Sequence, residues 1–174
     1  MNSPYLLAQG TSPTHAPLRT RPNAPRLKLS DPAHRAMTDF LYDPPLTLPE
    51  HFAVDDALDH MFRLGLRAFL VVRDRRVVGL MTTSDATRSA HRNLTVAQVM
   101  TPTDDVPAIG WDTLSEARVG DLVEIFDGSG EHHLVVLQNH SATLSSVRGL
   151  IHRERLELQL RSPWSLRIRP SRHA

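Results

Sequence analysis

The sequence predicts an α/β protein in which two copies of one helix–strand–strand–helix unit pack with pseudo-two-fold symmetry, sheet against sheet with helices outside. Two observations carry that prediction: similar segments recur in the same order, and turn chemistry separates them. The chain has 174 residues, 40% of them hydrophobic, enough for one ordinary domain or two small units sharing a core.

The recurrence has three parts. Ala53-Val54-Asp55-Asp56-Ala57-Leu58 matches Thr113-Leu114-Ser115-Glu116-Ala117-Arg118 at an offset of 60. Ala68-Phe69-Leu70-Val71-Val72 matches His133-Leu134-Val135-Val136-Leu137 at 65, and Val78-Gly79-Leu80-Met81 matches Arg148-Gly149-Leu150-Ile151 at 70. The two increments fall around Asp127–Gly130 and Asn139–Ala142, where loops are expected, because loops absorb added length and ladders do not.

Each element has its own reason. Val54, Ala57, Leu58, Met61 and Phe62 lie on one helix face, and Gly65 closes that helix. Residues 69–72 and 77–81 read as strands joined by the charged turn Arg73-Asp74-Arg75-Arg76, and a short helix runs from Ser84 to about Ala90. In the second copy, Thr113 and Glu116 have capping-box spacing at the helix start, and a last helix spans Arg153 to about Leu160. Neither unit has enough apolar face to stand alone.

The ends differ from this middle. Residues 1–36 hold six of the 13 prolines and a charge of +4, and are expected to form a disordered basic arm. Residues 161–174 form a basic tail, also +4, and the units are assigned to 37–94 and 95–160. Residues 37–160 hold 11 basic and 18 acidic groups, a net of −7, so nucleic acid is not an expected partner of the folded body. The arms are the expected contacts for an acidic partner.

Several function classes drop out. With no cysteine there is no disulfide, thiolate zinc site or thiol nucleophile. The longest apolar runs are far too short to span a bilayer. The apolar Tyr5-Leu6-Leu7-Ala8 has no Lys or Arg ahead of it, unlike a signal peptide, and a cytoplasmic protein is expected. His132 and His133, neighbours on a predicted strand, point to opposite faces and cannot share a metal; no metal site is expected. Gly128-Ser129-Gly130 lacks the Lys and Ser/Thr of a phosphate loop, and no activated serine or acid/base set appears, so no enzyme is expected.

Gly79-Leu80-Met81-Thr82-Thr83-Ser84-Asp85, followed by Thr95-Val96-Ala97-Gln98-Val99-Met100-Thr101-Pro102 at the entry to the second copy, resembles a tandem pair of CBS domains, a Bateman module. The resemblance covers about residues 37–160. It implies two β–α–β–β–α repeats and a regulatory module that senses an adenosyl compound (AMP, ADP, ATP or S-adenosylmethionine), with no cofactor required, and that signals through a homodimer or a partner. Within it, Asp85 offers acceptors for ribose hydroxyls, Thr82 a hydroxyl for a phosphate, Gly79 close approach of a ligand to the backbone, and Leu80 an apolar wall for the base.

Those same residues have a plainer reading, since Thr-Thr-Ser-Asp at a helix start is also an N-cap. The second copy departs from the pattern, with His152 and Arg155 where the first has Thr82 and Asp85. Arg155 has donors only, so the second ribose site is expected to be lost. His152, Arg153 and Arg155 are candidates to hold phosphates from the first copy; alternatively Arg153 and Arg155 pair with Glu154 and Glu157 on a solvated face. His133 is a further candidate ligand contact, standing where the first copy has Ala68. The alternative function is a ligand-free interaction scaffold with a degenerate pocket.

Overall fold

The computed structural model of the chain describes residues 26–88, 93–141 and 144–160 in full and residues 5–7 through their backbone. In chain order the elements are β1 (Tyr5–Leu7), a 3-10 turn (Ala33–Ala36), β2 (Thr38–Asp39), β3 (Thr47–Pro49), α1 (Val54–Leu64), β4 (Ala68–Arg73), β5 (Arg76–Thr82), α2 (Thr83–Arg88), α3 (Val96–Val99), β6 (Thr101–Pro102), β7 (Ala108–Gly110), α4 (Trp111–Glu116), α5 (Val119–Ser129), β8 (His133–Ser141), β9 (Leu144–His152) and α6 (Arg153–Leu160).

Two four-stranded ladders result, β3-β4-β5-β6 and β7-β8-β9-β2, and β1 joins them by pairing antiparallel with β5 and parallel with β9. The strands alternate between two environments, as a period of two requires. Phe69, Val71 and Met81 face α1, where Val54, Ala57 and Met61 are buried; Leu134, Val136 and Ile151 face Val119, Leu122 and Phe126 of α5. Leu70, Val77 and Leu80 turn the other way and meet Val135, Val147 and Leu150 between the ladders. The expected sheet-against-sheet packing with helices outside is what the molecule adopts. The β4–β5 turn places Asp74 at φ 48° and Arg75 at φ 64°, the paired left-handed geometry of a two-residue hairpin. Beside that turn, at the end of β4, the Arg73 guanidinium bonds Glu50 and holds that carboxyl below its ordinary pKa.

The register of the repeat is corrected. The partner of α1 is α5, not the Thr113–Arg118 segment: both helices have 11 residues and both end on a left-handed glycine, Gly65 at φ 66° and Gly130 at φ 72°. Val54, Ala57, Leu58 and Met61 thus correspond to Val119, Leu122, Val123 and Phe126 at the same offset of 65 that relates β4 to β8. Added length lies between β7 and α5, where it forms α4, and in the β8–β9 turn; none lies at Asp127–Gly130. Thr113 and Glu116 sit inside α4 and cap nothing, and at the true helix start the Arg118 N–H donates to Asp121 Oδ2 at 2.7 Å.

The N-terminal arm is corrected in part. Tyr5–Leu7 is a strand, and Leu27, Ala33 and Ala36 are buried in the α5 core. Prolines did not prevent this because the segment folds as turns whose amide groups find partners outside it: the Leu27 N–H donates to Gln159 O and the Ala33 N–H to Ala117 O, both at 3.0 Å. Residues 161–174, and residue 90 at the expected end of the fourth element, lie outside the described residues.

The two entry segments cross over. Leu27–Asp39 packs on the second half, and Leu94–Pro102 packs on the first. Arg148 fixes one crossing: it donates to both Asp39 carboxylate oxygens at 2.9 Å and to Gln138 Oε1 at 2.8 Å, while its guanidinium lies 4.3 Å from the Trp111 ring centre. Asp39 and Arg148 are both largely buried. Arg148→Ala is expected to cost about 2 kcal/mol, seen as a lower urea midpoint at unchanged slope, with Arg148→Lys recovering only part because lysine lacks the planar fork.

Candidate functional site

A cleft among the described residues has a volume of about 320 Å³, within the range of small-molecule sites. It opens where the C-terminal end of β5 and the start of α2 face the start of β7 and the approach to β8. Leu80, Val106 and Pro107 give it apolar walls; Thr82, Ser84, Asp85, Arg88, Asp105, Glu131, His132 and His133 give it polar ones.

Thr82 and Asp85 are arranged by the start of α2. The Thr82 N–H and hydroxyl both donate to Asp85 Oδ2, at 2.9 and 2.7 Å, and the Asp85 N–H donates back to Thr82 Oγ1 at 3.2 Å. This is a reciprocal capping box, so the N-cap reading of these residues is realised in full. Asp85 Oδ1 accepts from Arg88 Nη2 at 2.8 Å; Asp85 is buried, whereas the Arg88 side chain is 76% exposed and free to exchange its contact.

His133 lines the cleft, and its ring meets that of His152 edge-on, with centroids 4.8 Å apart across the β8–β9 pair. Burial, then the neighbouring His132, push the His133 pKa down to about 4, while Asp85 and Glu154 act in the other direction. Burial, then His133 and Arg155, push His152 to about 3. Both rings are therefore neutral at pH 7, so neither supplies positive charge to an anion. His132 precedes β8 rather than lying within it, which lets both neighbours line the same cleft. The described residues contain no cluster of three groups able to hold a metal ion.

The remaining sequence candidates are placed elsewhere. Gly79 does not border the cleft: a Cβ there would lie 2.6 Å from Thr101 O and 2.7 Å from Met100 Sδ, so its bareness admits the chain's own crossing segment rather than a ligand. Arg153 is turned onto α5, donating to Phe126 O at 2.8 Å, Asp127 at 2.5 Å and Glu157 at 3.1 Å. Arg155 donates to Thr38 Oγ1 at 2.5 Å. By the repeat, Thr38 corresponds to Thr101, a lining residue of the cleft, so the equivalent place in the second half is filled by Arg155. Neither Arg153, Arg155 nor His152 lines the cleft.

Sequence reading missed Asp105, Val106, Pro107 and Glu131 as lining residues, and Met37-Thr38 as the counterpart of Met100-Thr101. The second omission had a signal, because Met-Thr precedes each unit at the same relative place.

Residues 36–92 match the family model described as CBS domain. No curated protein matches the chain. Among solved structures, an uncharacterised conserved protein from Pyrococcus horikoshii is similar at TM-score 0.59 and 16% identity, over 83% of this chain and 99% of that one. CBSX2 in complex with AMP is similar at TM-score 0.56 and 16% identity, over 74% and 94%. The CBS domain of a bacterial CNNM/CorC family Mg2+ transporter in complex with ATP gives 0.56 and 14%, over 76% and 88%. At these identities the likeness is one of fold, and that fold is the expected pair of packed α/β repeats.

Proposed function

We propose that the chain, whose residues 36–92 match the CBS domain family model, is a regulatory module with a cleft that binds an adenosyl compound and passes the bound state to a dimer mate or partner. The observation that carries this reading is the 320 Å³ cleft, which sets the apolar walls Leu80, Val106 and Pro107 beside the carboxylate of Asp85. A planar base fits between the apolar residues, and ribose hydroxyls replace the exchangeable Arg88 on Asp85 Oδ1. The AMP and ATP carried by structures of the same fold agree with that chemistry.

No described helix is long and apolar enough to cross a membrane. Exposed Phe62 on α1 and Leu158 on α6 offer apolar helix faces for a dimer, and the basic ends offer charge to an acidic partner.

Calorimetric titration of the full chain with AMP, ATP and S-adenosylmethionine tests the binding. Asp85→Asn, which keeps an acceptor for the Thr82 N–H, is expected to weaken binding about tenfold, and Asp85→Ala more, with some loss of stability from the broken cap. The ligand-free scaffold is the second reading, favoured by the complete Thr82–Asp85 capping box, which needs no ligand to explain it. Absence of binding at millimolar concentration of every compound decides for the scaffold.

A further inference from the structure

We propose that the cleft selects an adenosyl ligand whose 5′ substituent is neutral or cationic, such as a sulfonium, and discriminates against a polyphosphate. The inference rests on the adenosyl reading above and adds the chemistry of the ligand's far end, together with two specificity-determining residues, Asp105 and Glu131.

Three carboxylates line the cleft among the described residues: Asp85, Asp105 and Glu131. The one arginine there, Arg88, is ion-paired to Asp85 at 2.8 Å, and the Thr82 hydroxyl spends its proton on the same carboxylate at 2.7 Å. Arg153 and Arg155, the residues that would offset phosphate charge, are committed to Asp127, Glu157 and Thr38 outside the cleft. His133 is held neutral by burial.

Ribose binding takes place at Asp85, on the β5–α2 side. Asp105 and Glu131 stand on the β7 and β8 approaches, both exposed, and belong to the wall that the β5–α2 side faces. Among the described residues, a polyphosphate entering this space meets two carboxylates with Arg88, released from Asp85 by the ribose, as the one arginine to offset its charge, within a body already at a net −7 over residues 37–160. A sulfonium or ammonium group in the same place is attracted by both.

The test is calorimetry on the full chain with adenosine, S-adenosylmethionine, AMP and ATP, the last with and without Mg2+, repeated on Asp105→Asn/Glu131→Gln. Both residues are exposed, so the variant's fold is checked simply by its melting curve. Adenosine and S-adenosylmethionine are expected to bind at least tenfold more tightly than ATP, and the double variant is expected to narrow that ratio threefold or more. ATP binding as tightly as adenosine, with or without Mg2+, overturns the selectivity and leaves the adenosyl reading standing. A ratio unchanged in the double variant overturns the assignment to Asp105 and Glu131. Failure of adenosine and every other compound to bind overturns the adenosyl reading itself, and the selectivity with it.

Discussion

Gly149→Ala is expected to destabilise the protein by about 3 kcal/mol and to lower its melting temperature by roughly 6–12 °C, although it adds a single methyl group. The new Cβ would lie 2.6 Å from Thr38 O and 3.1 Å from Met37 Sδ. A methionine side chain can move, but the carbonyl cannot easily do so, because Thr38 pairs with Leu150 and Asp39 with Gly149 in the β2–β9 ladder. Gly79→Ala is expected to behave alike, since its Cβ meets Thr101 O and Met100 Sδ at the crossing of β6 over β5. Gly128→Ala supplies the contrast: it lies within α5 with nothing inside 4 Å of the added atom, and alanine there is expected to stabilise by a few tenths to about 1 kcal/mol. Thermal denaturation of the three variants without ligand checks the argument; a Gly149→Ala protein that melts with the wild type would sink it.

Acid is expected to destabilise the protein steeply as pH falls below about 6.5. In the unfolded chain His133 and His152 take up protons near pH 6.5, whereas in the folded protein they do so only near 4 and 3. The unfolded state therefore binds up to two more protons in that window. The histidine contribution is fully present above about pH 6.5 and is lost as pH falls toward the folded values, with a slope approaching about 2–3 kcal/mol per pH unit. Denaturant midpoints measured from pH 7.5 to 4.5 are expected to fall steeply, and His133→Asn/His152→Gln, which removes both titrations, is expected to flatten the curve. A wild-type midpoint constant over that range, or a double variant with the wild-type slope, contradicts the account.

Much of the fold is legible in the sequence because its elements are local and periodic. The α1 face, its closing glycine, the charged hairpin turn and α6 follow from a few neighbouring residues each, and each lies where that reasoning puts it. At α5 the register is obscured because Thr113–Arg118 is a run of small and charged residues such as any helix start provides, whereas the true counterpart of the α1 face is Val119, Leu122, Val123 and Phe126 with Gly130 after it. The segment from Leu27 to Ala36 escapes local pattern for a different reason. Its order comes from partners more than 80 residues away, such as Arg118, which donates to Ser30 O across 88 positions, and proline content is silent about such partners.

The candidate site divides in the same way. Thr82 and Asp85 stand on one turn of chain, so spacing alone brings them together. Asp105, Glu131 and His133 reach the cleft only through the packing of one half on the other. The arginines illustrate the limit most sharply: local spacing announces Glu157 for Arg153, but not the Phe126 carbonyl and Asp127 carboxylate that also hold it, nor the Thr38 hydroxyl that holds Arg155.

The crossed entry segments also bear on how the chain reaches its fold. Thr38 waits for Arg155 across 117 positions and Asp39 for Arg148 across 109, so β2 has no partner until nearly all of residues 26–160 exist. During synthesis the first half can gather α1, β4 and β5 but lacks α3 and β6, and β2 must stay unpaired longer still. Such high contact order predicts slow, late-committing folding, and a ribosome-bound or truncated chain ending near residue 94 should remain protease-sensitive throughout.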